Sequence, residues 1–68
     1  MKIEYVKYVN ATIEEPMEFE EANGNRWDTP YIQNALLYDN EEEVKAEIDC
    51  YDCPETRKPV KVTITYEL

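Results

Sequence analysis

The chain has 68 residues, sixteen of them Asp or Glu against seven Lys or Arg and no His, for a formal net charge of −9 at pH 7. So strong a negative excess repels nucleic acid and anionic membranes and attracts basic protein surfaces, because the summed field reaches about a Debye length into solvent. This length supports one small core and leaves little room for a deep cleft, while 43% apolar residues and an aromatic share of 12% argue for a folded single domain over residues 1–68 rather than a disordered acidic chain.

No apolar run approaches the length of a membrane span, and polarity alternates from Met1-Lys2-Ile3-Glu4 onward, unlike a secretory signal. The expected location is the cytoplasm. Asn10-Ala11-Thr12 matches a glycosylation acceptor and, without a signal segment, reads as a chance match.

In chain order, Ile3 to Val9 reads as a strand whose apolar positions change parity between Tyr5 and Val6, which implies a bulge or cover on both faces. A second strand is expected from Thr12 to Glu21, with Ile13, Met17 and Phe19 inward; Pro16 makes it an edge strand or interrupts it. Asn23-Gly24-Asn25 signals a turn. Thr29-Pro30 then resembles an N-cap with proline at the first helical position, and predicts a short helix from Pro30 to Tyr38 with Ile32, Ala35 and Leu36 on one face and Trp27 near its start. The competing reading makes Ala35 to Tyr38 a strand.

Val44, Ala46, Ile48 and Cys50 alternate with polar residues, as do Val60, Val62, Ile64, Tyr66 and Leu68, so both runs read as strands. They are expected to pair as a hairpin across the proline-containing segment Asp52 to Pro59, with Asp49 opposite Lys61 or Lys45 opposite Glu67. The fold class that follows is α+β: β-hairpins forming a small antiparallel sheet of about four strands, with one short helix.

Catalytic signatures are missing. There is no His or Ser, and Gly24 is the only glycine, so neither a His-based proton shuttle, a serine nucleophile nor a glycine-rich phosphate loop can be built. The chain therefore reads as a non-enzyme. Cys50-Tyr51-Asp52-Cys53 has the spacing of zinc and redox motifs but lacks the further Cys or His ligands a closed zinc site requires. Cys50 is expected in the core, with a metal, dimer-bridging or redox role as the alternatives. Asp39-Asn40-Glu41-Glu42-Glu43 holds calcium-type donors without the glycine-centred loop and reads as a solvated turn. No metal and no cofactor are expected.

The remaining signal is the acidic surface itself, in two segments: Glu14, Glu15, Glu18, Glu20 and Glu21, then Asp39, Glu41, Glu42 and Glu43. Alternate strand residues lie about 6.6 Å apart, so Glu14, Glu18 and Glu20 on one face would repeat near the spacing of phosphates along a nucleic-acid strand. Proteins grip that backbone with Lys and Arg. The expected partner is accordingly a larger protein with a basic nucleic-acid-binding surface, met by these carboxylates with Trp27 and Tyr31 as aromatic anchors, and with no direct nucleic-acid or membrane binding. Small phage-encoded inhibitors such as anti-CRISPR and anti-restriction proteins share this size and charge, an analogy that rests on no motif. The alternative is a structural or accessory module that forms a homodimer or joins a larger assembly through a strand edge.

Overall fold

In the computed structural model, which describes residues 1–24 and 27–68, the two chain ends form the backbone of the molecule. Strand β1 (Lys2–Thr12) pairs antiparallel with β4 (Arg57–Glu67) along their whole length, from Lys2 opposite Glu67 to Thr12 opposite Arg57. At about 3.4 Å per residue this ribbon accounts for most of the 43 Å long axis. Two-residue strands β2 (Phe19–Glu20) and β3 (Asp28–Thr29) complete an antiparallel sheet of order β3-β2-β1-β4. Helix α1 (Glu41–Ile48) packs on β1 and β4. The class is α+β: a four-stranded antiparallel open sheet with one short helix.

Register sorts the side chains into two faces, because residues directly opposite in an antiparallel pair point the same way. Ile3, Tyr5, Lys7, Val9 and Ala11 share one face with Tyr66, Ile64, Val62, Val60 and Lys58. Asn10 and Thr12 share the other with Pro59 and Arg57. Val9, Asn10 and Ala11 are all fully buried, so the middle of β1 is covered on both faces. β1 runs without a bulge through an unbroken register, and Tyr5 and Val6, where the apolar parity changes, are both exposed, so cover on both faces is confined to residues 9–11.

Three expectations need correction. Residues 44–50 are not a strand, and the C-terminal strand pairs with β1 instead of with them. Asn40 caps the helix: its Oδ1 accepts from the Glu43 amide at 2.9 Å and its Nδ2 donates to Glu43 Oε1 at 3.3 Å. Three glutamates in the first turn favour the positive end of the helix dipole, and Glu41 pairs with Lys45 one turn on. These local terms outweigh the period-two pattern, and Val44 and Ile48, four apart, become the buried stripe.

The helix expected over 30–38 shrinks to one 3₁₀ turn, Ile32–Asn34. Thr29 Oγ1 does accept from the Tyr31 amide at 3.2 Å, but the next residues satisfy their backbone in the sheet. Leu36 donates to Glu20 O at 2.8 Å, and Tyr38 and Tyr8 exchange both bonds. Residues 35–38 thus run between β1 and β2, held by isolated bridges at Ala35 and Tyr38 and not as the strand of the competing reading, and they lead into α1. Lastly, β4 begins at Arg57 and includes Pro59, inside the segment expected to be a loop. Gly24 has φ 79°, consistent with the expected turn, whose third residue, Asn25, lies outside the described residues.

Candidate functional site

The first acidic segment does not form a row. β2 is only Phe19–Glu20, and residues 13–16 bend, with a cis peptide between Glu15 and Pro16. Thr12 organises the bend: its hydroxyl donates to Glu14 O and accepts from the Glu18 amide at 2.9 Å. Glu14 and Glu15 are exposed there, Glu18 and Glu21 are half-buried, and Glu21 accepts from the Asn23 side chain. Glu20 is only 3% exposed and cannot present itself to a partner.

Glu20 instead belongs to a polar network laid across the sheet. Its Oε1 accepts from Tyr38 Oη at 2.5 Å and from Asn10 Nδ2 at 3.4 Å. Asn10 Oδ1 accepts from Arg57 Nε at 2.7 Å, and the Arg57 guanidinium forms two bonds to Asp28, 2.9 and 3.0 Å long. The same guanidinium lies 4.6 Å from the centre of the Tyr51 ring. A buried carboxylate is tolerated only when such partners replace water. The Tyr38 phenol is held far above the ordinary tyrosine range, by burial first and by its bond to Glu20 second. Burial opposes the charge on Arg57, yet its bonds to Asp28 win and its pKa rises. Asn10 is fully buried, so the glycosylation triplet has no accessible acceptor.

The second acidic segment does reach solvent. Asp39 is exposed and pairs with Lys7 at 2.5 Å, which holds its carboxyl below the usual range. Glu41 is half-buried and pairs with Lys45 at 3.0 Å, raising the lysine. Glu42 and Glu43 are exposed on the first turn of α1, and Asp49 and Asp52 are exposed just beyond it. Glu42 and Asp49, seven apart and so about two turns, fall on the side away from the Val44–Ile48 stripe. Neither Asp49 nor Asp52 is among the expected contact residues, because Asp49 reads as a strand residue opposite Lys61 and Asp52 as the start of a hairpin loop; the Asn40-to-Glu43 cap is the signal for the helix that Asp49 follows.

Trp27 and Tyr31 are 70% and 58% exposed. Cys50, expected in the core, is exposed in the turn that ends α1, its thiol donating to Ala46 O at 3.5 Å. Cys53 is exposed as well. A groove of about 400 Å³ runs beside β4, lined by Ile32, Ala35, Leu37, Val62, Ile64 and Tyr66.

Charge is segregated along the fold. Strands β1 and β4 carry five of the seven basic residues and only two of the sixteen acidic ones, a net of +3; everything else carries −12. Among the described residues no helix is long and apolar enough to cross a membrane, and no group of three or more Cys, Asp or Glu is placed to hold a metal. No family model, curated protein or solved structure matches the chain.

Proposed function

We propose that this protein is a binding module, not an enzyme, that docks its acidic body on the basic, nucleic-acid-binding surface of a larger protein and so modulates or inhibits it. The observation that carries the reading is the segregation of charge: a net of −12 gathered outside the β1–β4 ribbon. An uneven distribution of charge steers and orients an encounter, whereas the same charge spread evenly would serve solubility alone. The contact residues move accordingly, away from a Glu14–Glu18–Glu20 row and toward α1 and its exit, with Glu42, Glu43, Asp49 and Asp52 as the exposed carboxylates. Trp27 and Tyr31 remain the aromatic anchors. The nearest functional analogy is still with small phage-encoded inhibitors, by size and charge.

The test is capture of nucleic-acid-binding proteins from a cell lysate on the immobilised chain, followed by elution with duplex DNA or rising salt. A variant carrying Glu42→Gln, Asp49→Asn and Asp52→Asn removes three exposed charges without touching the Asn40 cap or the buried network. The wild type should retain basic proteins that DNA displaces, and the variant should lose most of them. Equal recovery by both, or retention indifferent to salt, would reject the proposal.

A further inference from the structure

β4 ends the sheet, so one side of its backbone faces solvent. Which residues turn that way follows from the ladder. Leu68 N donates to Met1 O and Ile13 N to Thr56 O, so even-numbered β4 residues turn their amides toward β1 and odd-numbered ones turn outward. The far side of β1 agrees, where Tyr8 exchanges bonds with Tyr38 and Thr12 N donates to Glu18 O. Pro59 occupies an outward position, where a missing N–H costs the ladder nothing. Lys61, Thr63, Thr65 and Glu67 therefore present unpaired outward N–H and C=O groups, and all four residues are exposed.

A long open edge is a template for another strand, and only a matching sequence can use it without penalty. β4 matches itself. In an antiparallel pairing of two copies about a two-fold axis at Ile64, Lys61 falls opposite Glu67 of the second copy and Thr63 opposite its Thr65. On the other face, Val62 meets Tyr66 and Ile64 meets Ile64. Opposite charges, hydroxyls and apolar side chains each find their kind, and Pro59 lies beyond the paired stretch. Shifting the register by two residues sets Lys61 opposite Thr65 and brings Pro59 into the ladder opposite Glu67. The charge match selects one register.

From this we infer that β4 is a self-association edge: two copies join through Lys61–Glu67 into one continuous eight-stranded sheet, each outward N–H of one copy bonding an outward C=O of the other. The apolar rows Val62, Ile64 and Tyr66 then run together across the axis. The +3 charge of the ribbon brings the least repulsive part of each chain to the contact. The inference does not depend on the acidic docking proposed above, since β4 contributes none of the carboxylates used there.

Sedimentation equilibrium over a concentration series tests it. The wild type should show a concentration-dependent dimer. Lys61→Glu should weaken it about tenfold or more, since each dimer holds the pair twice, and adding Glu67→Lys should restore it. Thr65→Pro should abolish it. Amide exchange on the wild-type chain supplies a reading without mutation: Lys61, Thr63, Thr65 and Glu67 amides should exchange slowly in concentrated solution and fast on dilution, while Val62 and Ile64 stay slow in both. A wild type monomeric throughout, outward amides that exchange fast at every concentration, or a dimer indifferent to Lys61→Glu would overturn the inference.

Discussion

Arg57 and Asp28 lie on opposite edge strands of the sheet, and two parallel hydrogen bonds of 2.9 and 3.0 Å join them across the intervening strands. The Arg57 side chain is only 6% exposed, flanked by Asn10 and the Tyr51 ring. A planar fork with donors at Nε and both terminal nitrogens is needed to serve Asn10 and Asp28 together, and lysine cannot replace it. β2 and β3, two residues each, have little ladder of their own to hold them.

Arg57→Met should therefore destabilise the fold by about 2–4 kcal/mol, because it leaves Asp28 and buried Asn10 without their donor. Arg57→Lys should recover only part of this loss. Urea unfolding followed by circular dichroism measures both, and an unchanged midpoint for Arg57→Met would contradict the role assigned to the network.

Tyr38→Phe should cost about 1.5–3 kcal/mol, since its hydroxyl donates to a buried carboxylate. The phenol's pKa is raised on folding, so its contribution is complete below the unfolded value of about 10 and is lost as pH climbs above it. Stability measured from pH 8 upward should fall in the wild type past about pH 10. The Phe variant should show a shallower decline; equal slopes would count against the assignment.

Asp39 titrates in the opposite sense. Its hydrogen bond and charge interaction with Lys7 lower its pKa, so the contribution is present above the unfolded value of about 3.9 and disappears as pH drops through the folded one. The carboxyl carbon resonance of Asp39 should show a midpoint below the ordinary value, and Lys7→Gln should move it upward. No movement would place the pair apart in solution.

Asn40→Ala should lower stability by about 1 kcal/mol through loss of the cap on α1, with Asn40→Asp close to neutral. Thermal unfolding reads the difference. Because α1 carries exposed Glu42 and Glu43, the same variant should also weaken any partner bound through them.

Much of the fold was legible where a single pattern dominated. Val60 to Leu68 alternates too regularly to be anything but a strand, and the excess of carboxylates marks a protein whose surface field is negative whatever its fold. Where two periodicities coexisted, the linear pattern could not choose. Val44, Ala46 and Ile48 suit a strand by alternation and a helix by the four-residue spacing of Val44 and Ile48; the cap at Asn40 decided for the helix. Thr29-Pro30 marked a real turn, but Glu20 and Tyr8 offered the following backbone better partners than a short helix would have.

By itself, then, the sequence determined composition, charge, the α+β class and the strand character of both termini, because these depend on local propensity and on sums over residues. Tertiary structure alone decided that the two ends pair with each other, that Glu20 is buried while Glu42 and Asp49 are exposed, and that basic residues concentrate in one ribbon. Each of those outcomes depends on contacts between residues distant in the chain, whose energies include the burial and pairing of charge, and no local pattern encodes them.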